Sequence, residues 1–63
     1  MALRKIETRT NPANQVKTEV FFNPEFSEYL VKVYRQGNYQ SGADYFTDDR
    51  QDARDTAQAI RGE

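Results

Sequence analysis

Apolar and polar side chains alternate along much of the chain after residue 15. Residues 16–22 carry β-branched or aromatic side chains at every second position, which is typical of a strand with one buried face. The alternation stops at Asn23-Pro24, because proline cannot donate a backbone hydrogen bond to a neighbouring strand. It resumes over residues 28–35 and 39–47. The pattern therefore predicts three consecutive antiparallel strands.

The turn between the second and third predicted strands decides which residues share a face. A two-residue Gly37-Asn38 turn would set Val31 opposite Asp44, because directly paired residues lie on the same face. A three-residue loop over residues 36–38, with its last residue left-handed in a bulge, instead sets Val31 beside apolar residues of the third strand. We favour the three-residue loop because it buries apolar residues against apolar residues.

A helix is predicted after the third strand. Thr47 or Asp48 is the expected N-cap, and Asp48 with Gln51 three residues later fits a capping box. Gly62 is placed to end the helix in the left-handed conformation. The inward stripe has helical spacing and mostly small side chains, at Ala53, Thr56, Ala57 and Ile60.

The predicted fold class is α+β: a three-stranded antiparallel meander with one C-terminal helix across one face, in two layers. Residues 15–63 would form this single β-β-β-α domain, and a chain of 63 residues has room for one domain at most. Residues 1–14 show no sustained periodicity and contain the turn formers TNPANQ. We interpret them as a flexible N-terminal arm, with a short edge strand over residues 3–8 as the alternative.

The predicted core is thin. A chain of this length buries only about 60% of the surface that its unfolded form exposes. The absence of Cys and His removes disulfides and the common zinc ligands as staples, so we expect self-association or a partner protein. Phe26 is expected to plug one end of the core. The core itself combines one sheet face with the helix stripe: Val16, Val20, Phe22, Tyr29, Val31, Val33, Ala43, Tyr45, Ala53, Ala57 and Ile60.

The opposite sheet face has no predicted element to cover it, other than the N-terminal arm. Exposed aromatic clusters on so small a protein favour a docking surface, although scattered exposed apolar residues are also normal. The residues expected to contact a partner are Phe21, Leu30, Lys32, Tyr34 and Phe46. A secondary acidic patch that could meet Lys or Arg of a partner consists of Asp48, Asp49 and Asp52.

Catalytic chemistry is not indicated. Acid–base and nucleophilic catalysis need convergent groups in a pocket, and the chain has neither His nor Cys. Residues 48–55 hold a cluster of aspartates, but they lack the acidic metal-binding loop with its central glycine. Helix capping and solvation explain them without a metal. We therefore expect a protein that is not an enzyme and that uses no cofactor or metal.

Single-stranded nucleic-acid binding is the alternative function for the uncovered face. Phe21 and Tyr34 beside Lys17 and Lys32 would suit base stacking next to phosphates. The net charge of −1 and the acidic residues predicted on the same face argue against it. Nucleic acid is therefore the less favoured partner.

The location predicted from the sequence is the cytoplasm. No apolar run approaches the roughly 20 residues that span a bilayer. The first ten residues have no apolar core of a signal peptide, and the lack of Cys gives no evidence of an oxidising compartment. We expect a soluble protein with no membrane partner.

The stretch EYLVKVYRQGNYQSGADYFTDDRQDARDTAQAI, residues 28–60, resembles small accessory proteins of phages and other mobile elements. Many such proteins, anti-CRISPR proteins among them, are sheet-plus-helix domains without catalytic residues that act by occluding a host protein. The resemblance implies a non-enzymatic inhibitor or adaptor that binds a host protein complex in the host cytoplasm. It assigns no functional residue.

Overall fold

The computed structural model describes residues 3–63. An antiparallel sheet and one C-terminal helix confirm the predicted α+β class, but the sheet has five strands rather than three. The elements follow one another as β1 (Arg4–Asn11), β2 (Val16–Asn23), β3 (Glu28–Arg35), β4 (Asn38–Tyr39), a 3-10 turn (Ser41–Ala43), β5 (Tyr45–Thr47) and α1 (Arg50–Arg61).

Residues 4–11 form the edge strand of the sheet. β1 pairs with β2 from Arg4 to Asn11, with one bulge between Lys5 and Glu7. Of the two alternatives for the N-terminal segment, the structure therefore has the edge strand, which extends three residues beyond the predicted range of 3–8. The flexible-arm interpretation is wrong for these residues, because they belong to the same sheet as the rest of the chain.

The first two hairpins use the same loop. Asn11 and Asn23 each precede a proline, and each side-chain oxygen accepts a hydrogen bond from the backbone N–H two positions later at 3.0 Å. Gln15 and Ser27 end the two loops in the left-handed region, at φ 58° and 49°. An asparagine that hydrogen-bonds its own backbone favours a turn, so two copies of one local signal build β1, β2 and β3 into a meander.

The third turn differs from both sequence-based alternatives. Gln36 and Gly37 both have positive φ, 53° and 84°, and Arg35 pairs with Asn38. This is a two-residue hairpin connection, in which positive φ at both positions matches the twist of the strands. Tyr39 is therefore paired with Tyr34.

The 3-10 turn at Ser41–Ala43 interrupts the last strand and changes its register. After it, Tyr45 pairs with Val31, as part of the β3–β5 ladder. Tyr45 thus lies on the face of Val31, as predicted, but it is 36% exposed, so its predicted burial in the core is wrong. The placement of Ala43 in the core is wrong, because this residue is exposed in the turn.

The core lies between the sheet and α1. Val20, Val31, Ala53 and Ala57 are fully buried, and three larger side chains pack around them, at Ile6, Tyr29 and Ile60. Small helix residues allow α1 to approach the sheet closely, so a thin core is still well packed. Phe26 is 67% exposed, so the prediction that it plugs the core is wrong.

The helix ends are set by local hydrogen bonds. The Asp49 side chain accepts from the backbone N–H groups of Gln51 and Asp52, so Asp49 is the N-cap rather than Thr47 or Asp48. Gly62 ends the helix in the left-handed conformation at φ 79°, which confirms its predicted role.

Arg61 connects the end of α1 to the first hairpin. The residue is only 3% exposed, and its Nη1 donates to the Thr18 Oγ1 at 2.6 Å. Its backbone carbonyl accepts from the side-chain amides of Asn11 and Asn14, each at 2.9 Å. Helix carbonyls at a C-terminus need such partners, so the loop of the first hairpin caps the helix. Among residues 3–63, no helix has the length and apolar character needed to cross a membrane.

Candidate docking surface

The open face is defined here as the sheet face turned away from α1. Side chains alternate between the two faces of a strand, and directly paired residues share a face. Since Val20 and Val31 face the helix, their neighbours face away from it. Strand pairing arranges the open face in three transverse rows: Lys5, Phe21, Leu30 and Phe46; then Thr8, Glu19 and Lys32; then Thr10, Lys17, Tyr34 and Tyr39.

The first row contains an apolar strip across three strands, which we call the apolar row: Phe21, Leu30 and Phe46. Phe46, on the short strand β5, is 57% exposed, and Leu30 is only 7% exposed. Phe21 lies between these extremes. Within the described chain no helix or strand is layered over this row. Phe46 is therefore the side chain of the row that a partner can reach most easily.

Lysine side chains lie over the aromatic rings of the open face. The Lys32 Nζ is 5.2 Å from the centroid of the Phe21 ring and 5.7 Å from that of Tyr39. The Lys17 Nζ lies 4.5 Å from the centroid of Tyr34, and the Lys5 Nζ lies 5.8 Å from that of Phe21. Contacts of this kind are attractive because the face of an aromatic ring carries negative charge. They hold the lysines over the sheet while part of each side chain stays in water.

Glu19 is buried in the middle of the open face. It is 7% exposed, and one of its carboxylate oxygens lies 3.0 Å from the Lys5 Nζ and 3.8 Å from the Lys17 Nζ. Burial alone would raise the pKa of this carboxyl, but Lys5 and the Tyr34 hydroxyl outweigh burial and lower the pKa below its usual value. The charge of Glu19 is thus compensated inside the protein.

Lys32 has no comparable partner. It lies directly opposite Glu19 in the β2–β3 register and is half-buried. Within residues 3–63, no carboxylate approaches its Nζ to within 4.0 Å, because the carboxylate of Glu19 is turned to Lys5 and Lys17. The centre of the open face therefore carries a positive charge without a salt bridge in the described chain.

Tyr39 adds an aromatic residue to the open face, where it pairs with Tyr34. It is 43% exposed, and its hydroxyl donates to both oxygens of Asp44, at 2.6 and 2.7 Å. This hydrogen bond raises the pKa of Tyr39 to about 12. Its position on the open face follows from the Gln36-Gly37 turn, so the correct turn would have revealed it.

The predicted acidic patch does not share a surface with the apolar row. Asp49 caps α1 through backbone N–H groups, and Asp52 accepts from the Tyr45 hydroxyl at 2.6 Å. Asp48 is exposed in the link before the helix. Asp49 and Asp52 thus belong to the helix layer and already accept hydrogen bonds, Asp49 from the helix backbone and Asp52 from Tyr45 of β5. The two predicted groups of contact residues are separate features.

A polar cleft of about 240 Å³ lies on the helix side. Most of its charged residues pair with one another: Glu7 lies 3.5 Å from Arg9 and 3.8 Å from Arg54, and Arg61 contacts Glu63 at 2.9 Å. Asp55 accepts a hydrogen bond of 2.9 Å from the Gln51 side chain. No group of three or more His, Cys, Asp or Glu side chains in the described chain is arranged to hold a metal ion. Uncompensated charge and exposed apolar surface meet on the open face instead.

Three residues of the open face are not predictable from the sequence pattern alone, each for a structural reason. Lys5 lies on β1, which the sequence left without a fixed position, and Tyr39 depends on the turn. Glu19 forms its salt bridge with Lys5 only because β1 places Lys5 beside it, which the sequence pattern does not indicate. The expected contact residues Phe21, Leu30, Lys32 and Tyr34 lie on the open face, as the alternation of β2 and β3 indicates. Phe46 joins them through its pairing with Leu30, whereas the predicted acidic patch does not.

Comparisons with known proteins add no relative. No protein-family model matches this chain. No curated protein and no solved structure matches it either, so the geometry of the open face is the basis of the functional proposal.

Proposed function

We propose that this protein is a non-enzymatic protein-binding module that docks through its open face. The observation that carries the proposal is the apolar row, which ends in the exposed ring of Phe46 and has no covering helix or strand in the described chain. Exposed apolar side chains beside polar ones are typical of docking surfaces, and aromatic residues commonly supply most of their binding energy.

The lysines around the apolar row favour a different protein over a second copy of this one. In a symmetric dimer each surface patch meets the same patch of its partner. A dimer through the centre of the open face would set Lys32, which has no salt bridge in the described chain, against Lys32 of the second copy. Like charges brought together in an interface are unfavourable, so we propose a hetero-partner.

Base stacking is the less favoured use of the same surface. The rings of Phe21, Tyr34 and Tyr39 already have a lysine Nζ within 4.5–5.8 Å of their centroids. A nucleobase would have to displace these lysines to stack on that side of each ring. The net charge of −1 also gives a nucleic acid no long-range attraction.

The resemblance of residues 28–60 to phage accessory proteins adds a finer proposal. The partner would be a host protein complex, and binding would occlude it in the host cytoplasm, as an anti-CRISPR or other anti-defence inhibitor does. The supporting feature is general: a small sheet-plus-helix protein whose exposed surface suits binding.

Site-specific photo-crosslinking tests the docking surface. A photoreactive phenylalanine analogue replaces Phe46 in the full chain, which is then produced and irradiated in the cells that normally contain it. The matched control carries the same analogue at Ala59, an exposed position on α1. We expect discrete protein adducts at position 46 that resist nuclease and are missing at position 59.

Three results would overturn the proposal. Equal adducts at both positions would show that capture is not specific to the open face. A lack of adducts at position 46 would remove the docking surface. Nuclease-sensitive adducts would support the nucleic-acid alternative in its place.

A further inference from the structure

We infer that the open face recognises an acidic protein segment, with a carboxylate of the partner on Lys32 and an apolar side chain of the partner against Phe46. This inference rests on the proposed docking function and adds the chemistry of the partner. It is carried by the position of Lys32, the charge state of its neighbours and the spacing between Lys32 and the apolar row.

Lys32 has the properties of a central anion-binding residue. It lies in the middle row, on β3, and is half-buried against the rings of Phe21 and Tyr39. Glu19, which faces it across the strand pair, is held by Lys5 and Lys17. Hydrogen bonds to a charged group are stronger than those between neutral groups, and partial burial strengthens them further. A partner carboxylate would therefore form a salt bridge with the one central lysine that has none in the described chain.

The neighbouring apolar row defines the second part of the ligand. Lys32 and Leu30 are two residues apart on one strand, a spacing of about 7 Å. Leu30 pairs with Phe46, so the exposed ring lies one strand away from that position. A segment that fits would place a carboxylate and an apolar side chain about 8–9 Å apart, because Lys32 and Phe46 differ by about 7 Å along the strands and about 5 Å across to the next strand.

The same geometry argues against a phosphate backbone as the source of the anion. Phosphates would offer nothing apolar to the row that ends in Phe46. Asp44 also sits at the edge of the open face, bonded to the Tyr39 hydroxyl, and would repel a polyanion tracking along the sheet. A single carboxylate beside an apolar side chain fills the apolar row and brings one negative charge near Asp44 instead of a series of phosphates.

Selection from a displayed library of short random peptides, against the immobilised full chain, tests the inference. We expect enriched peptides to carry Asp or Glu close to an aliphatic or aromatic residue. Their affinities are then measured by fluorescence anisotropy for the wild type, Lys32→Gln, Lys32→Arg and Phe46→Ala. The control is Arg50→Gln, which removes one exposed positive charge from the helix side.

The expected pattern separates a local contact from a change in net charge. Lys32→Gln should weaken binding about tenfold, or about 1.4 kcal/mol. Lys32→Arg should restore most of the affinity, because the charge returns, and Arg50→Gln should change affinity by less than about twofold. Unchanged unfolding midpoints for the Lys32 variants would show that the losses are not caused by misfolding.

The outcomes distinguish the two proposals. Peptides that need Phe46 but show no acidic enrichment and tolerate Lys32→Gln would overturn this inference and leave the docking function standing. Peptides that bind equally well to Phe46→Ala would overturn the docking function itself. Tighter binding of a single-stranded oligothymidylate than of any enriched peptide would overturn both.

Discussion

Replacing Thr18 with valine tests how the buried Arg61 contributes to stability. Thr18 is 1% exposed on the central strand β2, and its hydroxyl accepts a hydrogen bond of 2.6 Å from the Arg61 Nη1. Valine has nearly the same shape and a high strand propensity, so Thr18→Val removes the hydroxyl without opening a cavity. What remains is a buried N–H of a charged group with no acceptor.

The magnitude follows from two opposing terms. A hydrogen bond to a charged group contributes about 1.5–3 kcal/mol. The additional buried methyl group of valine offsets up to about 0.8 kcal/mol. We therefore expect the free energy of unfolding to fall by about 1–2 kcal/mol. This is a large loss, because a domain with about 0.05–0.15 kcal/mol per residue has a small total stability.

Urea denaturation followed by circular dichroism measures this change as a shift in midpoint at constant slope. In thermal unfolding, a loss of 1 kcal/mol corresponds to about 4–8 °C in Tm for a domain of this size. The matched control is Thr10→Val on the edge strand, where the side chain is exposed. That variant should stay within about 0.5 kcal/mol of the wild type.

A double-mutant cycle shows whether the loss belongs to the pair. Replacing Arg61 with methionine in the Thr18→Val background removes the unpaired donor, so the double variant should recover part of the loss. A Thr18→Val protein as stable as the wild type would refute the reasoning. It would mean that water or another group satisfies the guanidinium, and that the contact contributes no net stability.

Three further predictions concern the helix cap and two titrating groups. Asp49→Ala should lower the free energy of unfolding by about 1 kcal/mol, whereas Asp48→Ala should leave it within about 0.5 kcal/mol, as measured by urea denaturation. Tyr39 should ionise near pH 12 when the folded protein is titrated and phenolate absorbance is recorded. Asp44→Asn should return the pKa of Tyr39 towards its ordinary value. Because folding raises the pKa of Tyr39, this group stabilises the fold fully at pH values below the pKa of the unfolded chain. The contribution is lost as the pH rises through the pKa of the folded protein. Folding lowers the pKa of Glu19 from 4.5, so its contribution is present above that value and is lost as the pH falls through the lowered pKa; Glu19→Gln should flatten this acid limb of the stability curve.

The alternation in β2 and β3 was sufficient to predict the central hairpin and both of its faces. Side chains alternate between the two faces of a strand, so the burial of one face determines which residues lie on the other. The helix was equally accessible, because its small-residue stripe and Gly62 are local signals. The central hairpin carries the expected contact residues Phe21, Leu30, Lys32 and Tyr34, so most of the candidate surface follows from local pattern.

The edge strand β1 was harder to predict because its sequence lacks the alternation of apolar and polar residues that marks a strand. Residues 4–11 contain a single large apolar side chain, Ile6, and the bulge at this position breaks the alternation. Charged residues and bulges are typical of edge strands, where they discourage pairing with other chains. The usable signal lay at the end of the strand, in the Asn-Pro loop that begins at Asn11 and is repeated at Asn23.

Long-range polar contacts had no local signal at all. Arg61 fits the end of a helix by its charge alone, and nothing near it in sequence indicates burial against Thr18, 43 positions away. The Gln36-Gly37 turn was not predicted for a different reason. A glutamine with positive φ is uncommon, so sequence reasoning favoured the more permissive Asn38.

These contacts change the grounds for expecting a partner. The sequence suggested that a short chain without disulfides or metal ligands would need another protein to be stable. The structure instead ties β1, the first loop and the end of α1 together through Arg61, Asn11 and Asn14. These hydrogen bonds between distant parts of the chain can stabilise the fold as a monomer. The features that favour a partner are therefore the exposed Phe46 and the unpaired charge of Lys32, which internal packing does not explain, and not the small size of the core.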